Sequence, residues 1–207
     1  MNIALRRNLF IMRKNYFINI IFMIFSIPLW TVTSNPLGSL NLTIPLMTYT
    51  SVHIMEQLED YYKYDGILNS LPINRNEIVK AKFESVLMIY IINTVLTLLT
   101  HFIYSVLGVT EFITGEMFLL GLSLSFLISM IFGAVGIALI SKFGYEKSKL
   151  FGIIAMVIIM STISIPLFIL KGSILIPVIS LILTALGITA YVISLKLTLK
   201  IYSEKEF

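Results

Sequence analysis

Apolar residues in this chain come in long runs broken by short polar stretches. Six runs stand out, at Tyr16–Val32 and about Leu37–Met55, Ser85–Leu107, Met117–Ile140, Leu150–Leu170 and Ile174–Leu195. Each is near the roughly 20 residues needed to cross a hydrocarbon core about 30 Å thick. With no water inside that core, a helix is the only single-segment structure that satisfies its own backbone. The pattern predicts one all-α integral membrane domain over residues 1–207, built from six transmembrane helices. Pro28 predicts a kink near the end of the first span, and Asn35-Pro36 a turn before the second. The first run is not a cleaved signal peptide on this reading, because further spans follow and no Ala-x-Ala pattern is present.

The polar breaks carry the rest of the information. The longest, Glu56–Glu84, holds ten charged residues. Inside it, Pro72 disfavours helix at Leu71, so a short helix is expected to stop near Ser70 or Leu71. Asn74, with Glu77 three residues on, fits a capping box, so a new helix is expected from Arg75 into the third span. An ordinary solvated hairpin is the alternative for this segment. Residues 1–15 carry Arg6, Arg7, Arg13 and Lys14 as two pairs seven apart, on similar sides of a helix. They read either as an interfacial helix or as a positive flank that fixes topology.

Composition agrees with the membrane reading: 57% of residues are hydrophobic, 13% are charged, and mean hydropathy is +0.95. Soluble domains are nearer a quarter charged. The net charge of +4 is divided among short loops, so it does not form a nucleic-acid-binding patch. Threading six spans with both termini in the cytoplasm puts four Lys or Arg in residues 1–15, four in 56–84, three in 141–149 and three in the tail. Fourteen of the fifteen then lie inside, with Lys171 the exception, as the positive-inside rule requires.

Candidate chemistry is sparse. The absence of cysteine excludes disulfides, thiolate metal sites and a Cys nucleophile. His53 and His101 are isolated within predicted spans, and neither an H-E-x-x-H nor a G-x-S-x-G motif occurs. No Walker A sequence is present, so any use of ATP belongs to another subunit. In the second span Asn41, Pro45, Tyr49 and His53 recur every four residues, with Thr48 and Glu56 beside that face. Polar groups are costly in lipid, so this stripe is expected to face a bundle interior, a partner helix or an aqueous route. It forms a wall of a substrate path on one reading and interhelical hydrogen bonds on the other. In the fourth span Ser125, Ser129 and Gly133 form a small-xxx-small row, read as close helix packing. In the fifth, Ser161, Thr162 and Ser164 precede Pro166, where their hydroxyls can offset the lost backbone bond.

A basic N-terminal segment, six spans, and Leu71-Pro72-Ile73-Asn74-Arg75 followed by Val79-Lys80-Ala81-Lys82-Phe83 together resemble the type-2 ATP-binding-cassette exporter permeases. The resemblance extends to small bacterial permeases of about this length, a group that includes those exporting phenol-soluble modulins. Topologically it covers the whole chain, while the motif covers about thirty residues. Asn74 stands where many relatives carry Ser, which keeps the capping role.

The resemblance implies a coupling helix docked on a cytoplasmic ATPase. By position that helix is Asp65, Gly66, Ile67, Leu68, Asn69, Ser70 and Leu71, with Ile67 and Leu68 as apolar anchors and Asp65 as a polar contact. Glu56, Glu59 and Asp60 would tie the loop to the N-terminal helix through Arg6, Arg7, Arg13 or Arg75, and Pro72, Asn74 and Glu77 would complete the brace. Two permeases, identical or paralogous, would pair in the bacterial cytoplasmic membrane among its lipids. Spans two and five would then flank a central path, placing Tyr49, His53, Ser161 and Thr162 along it. ATP and Mg would sit on the ATPase; no cofactor is expected in this chain, and it would not be catalytic alone. Other classes considered are the substrate-binding subunit of a vitamin importer, a membrane-embedded lipid-modifying enzyme or protease, and a structural or immunity role. The importer would couple through a scaffold protein. The enzyme would be active without ATP and has only Glu56–Asp65 as an acidic cluster.

Overall fold

The computed structural model describes residues 17, 20, 21, 24, 25, 39–62, 74–109, 115–150, 152–154 and 175–204. Every ordered element among them is helical. A π-helical turn, Ser39–Thr43, leads directly into α1 (Ile44–Tyr61). Then come α2 (Arg75–Val106) and α3 (Gly115–Met130); a second π turn (Ile131–Val135) joins α3 to α4 (Gly136–Phe143), and α5 is Ile176–Glu204. Residues 145–150 and 152–154 are also helical. Gly144, with φ of 84°, adopts a conformation that a side chain disfavours, and it ends α4 sharply.

Among the described residues, three helical stretches are long and apolar enough to cross a membrane: Arg75–Val106, Met117–Phe143 and Ile176–Glu204. α1 carries the acids Glu56, Glu59 and Asp60 in its last turns. At 32 residues α2 is about 48 Å long, well beyond the hydrocarbon thickness. The excess is its charged beginning, where Arg75, Glu77, Lys80, Lys82 and Glu84 lie. The helix expected from Arg75 therefore forms and continues through the third span without a break.

One apolar cluster joins Val52 of α1 to Val79, Phe83, Val86 and Ile89 of α2, Met130, Ala134 and Ile137 of the third and fourth helices and their π turn, and Tyr202 of α5. A second joins Tyr49 to Leu120, Leu124, Ile128, Phe132 and Ile176. The small residues of α3 and of the π turn after it do pack closely. Ser125 and Ser129 are fully buried, and a Cβ on Gly133 would lie 2.6 Å from Val86 Cγ1. Gly187 of α5 is in the same position against the Phe126 ring, at 2.8 Å. The outward faces of α2 (Ile91, Val95, Leu99, Phe102) and α5 (Leu181, Leu186, Ile193, Leu197) are exposed and apolar, as a lipid-facing surface requires. Tyr104 Oη donates to the Ile24 carbonyl at 3.0 Å, holding part of the first apolar run against α2.

Candidate functional site

The charged ends of several helices gather at one end of the bundle. Glu56 and Glu59 stand three residues apart on α1, hence on one face. Facing them across the helix pair is Lys82 of α2. Its Nζ lies 3.1 Å from Glu56 Oε2 and 2.5 Å from Glu59 Oε2. The three side chains are only 2%, 3% and 4% exposed. Such an ion pair loses heavily in desolvation and holds only with good geometry, and removing one partner strands the other as an uncompensated charge. The Tyr202 ring of α5 also faces Lys82, its centroid 6.0 Å from Nζ.

Beside this cluster is a cavity of about 80 Å³, lined by Glu56, Glu59, Asp60, Lys82, Ser141, Tyr145 and Tyr202 among others. Asp60 is exposed. Burial first, and then the charges of Glu146 and Asp60, raise the Tyr145 phenol above its ordinary value of 10.0, so it is a neutral hydrogen-bonding group near neutrality. The lining comes from the last turns of α1 and α4, the beginning of α2 and the end of α5. The acidic end of α1, the charged beginning of α2, the end of α4 with Tyr145, and the end of α5 thus share one side of the molecule.

Asn74 caps α2. Its backbone is extended (φ −65°, ψ 129°), and its Oδ1 accepts from the Asn76 N–H at 3.0 Å. The side-chain bond goes to the second helical residue, one earlier than a capping box predicts, while the Glu77 N–H bonds the Asn74 carbonyl at 2.8 Å. Glu77 still supplies an acid in the first turn, which suits the helix dipole. Arg75 and Glu77 are exposed.

Tyr49 and His53 come together, and both are buried. Their ring centroids are 4.2 Å apart; Phe132 meets Tyr49 edge-on at 5.7 Å, and Tyr145 meets His53 edge-on at 5.8 Å. A cavity of about 70 Å³ adjoins them, lined by the second π turn, Ser148 and Gly152. A Cβ on Gly152 would be 2.9 Å from Tyr49 Oη and 3.3 Å from His53 Nε2. The start of the fifth apolar run therefore presses directly on this pair. The whole predicted stripe of Asn41, Pro45, Tyr49 and His53 faces the interior of the chain. Ser161 and Thr162, the coupling residues Asp65, Gly66, Ile67, Leu68, Asn69, Ser70 and Leu71, Pro72, and the arginines at positions 6, 7 and 13 lie outside the described residues.

Two features escaped the sequence reading. The first is Lys82 as partner of Glu56 and Glu59. A helical projection contains the signal, since Lys82 shares its face with Ile78, Val79 and Val86, whereas Lys80 and Glu84 are exposed. The second is a polar stripe on α2, where Asn93, Thr97, His101 and Ser105 recur every four residues, all buried. Asn93 Nδ2 donates to Thr48 Oγ1 at 3.4 Å, tying this stripe to α1.

Residues 5–203 match the family model described as ABC-2 family transporter protein. No curated protein and no solved structure gives a significant match.

Proposed function

Because the chain belongs to the ABC-2 family of transporter proteins, and is thus the membrane permease component of an ATP-binding-cassette transporter, we propose that it is half of an exporter driven by a separate cytoplasmic ATPase. Its cargo is amphipathic or hydrophobic, a peptide toxin of the phenol-soluble modulin kind or an antimicrobial. Two copies, or this chain and a paralogue, form the complete translocation unit in the bacterial cytoplasmic membrane. Six spans with both termini inside put the 56–84 segment on the ATPase side, in keeping with its Lys and Arg content.

The observation that carries the mechanism is the buried ion pair between Glu56, Glu59 and Lys82. The acids stand just before the coupling segment and the lysine just after it. Closing a loop at its base by a buried, doubly contacted charge makes that end of the two flanking helices one rigid lever. ATP-driven closure of the ATPase dimer moves Asp65–Leu71, and the clamp passes that displacement to α1 and α2 together. A loosely held loop would absorb it. The change of state then follows from contacts that differ between the two arrangements. Tyr49 and His53, pressed by Gly152, form the point where spans two and five close against each other, with Ser161 and Thr162 further along the path.

The test is nucleotide hydrolysis and copurification with the cognate ATPase, with Ile67 and Leu68 intact or each changed to Asp. Loss of a buried interface anchor costs about 2 kcal/mol or more. The Asp variants are therefore expected to release the ATPase while the permease stays folded. Full copurification and unchanged hydrolysis in both variants would remove Asp65–Leu71 from the coupling role.

A further inference from the structure

The ion pair is one end of a longer polar seam between α1 and α2. The helices run antiparallel, since Lys82 meets Glu56 and, farther along, Asn93 Nδ2 reaches Thr48 Oγ1 at 3.4 Å. Past that point α2 presents Thr97, His101 and Ser105, all buried. On the other side, the π turn that carries Asn41 continues α1 and packs against α2. The register brings Asn41 to about the level of Thr97 and His101.

This half of the seam is underbonded. Asn41 Nδ2 and Oδ1, Asn93 Oδ1 and Thr97 Oγ1 are buried and have no hydrogen-bond partner among the described residues. Thr48 Oγ1 is already engaged, donating to the Ile44 carbonyl at 2.8 Å. Buried amides and hydroxyls left in this condition are the groups that internal waters bridge. All of these groups are neutral, mixing donors and acceptors, which suits water better than an ion. Independently, Asn41 sits in a π turn, a segment type frequent at functional sites.

Building on the permease reading above, we propose that α1 and α2 part at the Asn41–Thr97 end of this seam during each ATP cycle and admit water there. The Glu56–Glu59–Lys82 cluster keeps the opposite end shut and acts as the pivot. In the parted arrangement Asn41, Asn93 and Thr97 gain hydrogen bonds to water continuous with the outside. These bonds supply the differential contact that a two-state change needs. The lining of the route is then shared between α1 and α2.

The chain contains no cysteine, so a single introduced thiol is a unique reporter. Thr97→Cys and Asn93→Cys variants, in membranes with the cognate ATPase, are treated with a charged methanethiosulfonate reagent that reacts only where water reaches the thiol. Val95→Cys, on the exposed apolar face of α2, is the control. Labelling of the two seam reporters is expected to rise about tenfold or more when ATP is added, with the control flat. Asn41→Leu, which replaces the underbonded amide by an apolar side chain, is expected to return the Thr97→Cys rate toward its resting value. Equal labelling with and without ATP at both reporters, in membranes where ATP hydrolysis proceeds, overturns the seam and leaves the permease reading intact. Failure of the ATPase to associate removes both.

Discussion

Lys82 Nζ lies 3.1 Å from Glu56 Oε2 across 26 positions of sequence, and both side chains are almost wholly buried. That contact fixes the spacing of α1 and α2 where the chain leaves one and enters the other. Lys82→Met removes a buried cation from beside two buried carboxylates and is expected to cost about 3–5 kcal/mol of stability. Adding Glu56→Gln and Glu59→Gln should return part of it, because the two carboxylates that faced Lys82 are then neutral. Thermal unfolding in detergent reads both effects. A triple variant no more stable than Lys82→Met would show that the cluster does not act as a charge unit. In the proposed mechanism the restored triple variant binds the ATPase but transports poorly, since neutral side chains hold the lever less firmly.

Gly133 and Val86 provide a packing test. The absent Cβ of Gly133 would fall 2.6 Å from Val86 Cγ1, and a β-branched side chain has little freedom to move aside. Gly133→Ala is expected to destabilise by about 1–3 kcal/mol through overpacking. Val86→Ala alone should lose about 1–3 kcal/mol, since two buried methyl groups are removed where Ile→Val removes one. Combined, the two should cost less than their sum, since the new methyl occupies the space the valine gave up. Strict additivity in thermal unfolding would place the approach of α2 to the second π turn elsewhere.

Much of this architecture was legible in the chain because hydrophobic runs and caps act locally. Asn74 and Pro72 announce the start of α2, and small residues announce the close approach of α3. Lys82 was not recognised because its role is non-local. In sequence it reads as one more basic residue in a charged loop, and only packing separates it from exposed Lys80. The Asn93–Thr97–His101–Ser105 stripe was missed for a different reason. Its members are spread among strongly apolar residues, and only the face they share gives them meaning. The cap bond goes to Asn76 instead of Glu77, a matter of backbone geometry at one turn that residue identity does not determine.

Asn74 accepts a bond from the second helical N–H, so its removal exposes a donor with no intrahelical acceptor. Asn74→Ala is expected to cost about 1 kcal/mol and Asn74→Ser close to nothing. Amide hydrogen exchange reads this locally. Asn76 and Glu77 should exchange several-fold faster in the alanine variant, while the amides of Ile89 and Asn93 keep their protection. Uniform acceleration along α2 would mean that the cap supports the whole helix.

Gly152 has Tyr49 Oη and Tyr49 Cε2 at 2.9 and 3.2 Å from where its Cβ would be, with His53 Nε2 at 3.3 Å. The first is closer than real Cβ atoms come, and the other two are tighter than most such contacts. Gly152→Ala therefore has to displace the aromatic pair, and Gly152→Leu has to displace it further. Overpacking of this kind costs about 1–3 kcal/mol for the alanine. Tyr49→Phe removes the nearest atom and should recover part of the loss in Gly152→Ala, though not all, because the ring edge stays close. If spans two and five close at this point during transport, the alanine variant should also slow ATP-dependent export more than it slows ATP hydrolysis, and Tyr49→Phe should narrow that gap. Equal loss of both activities, unrelieved by Tyr49→Phe, would make Gly152 a folding contact with no part in closure.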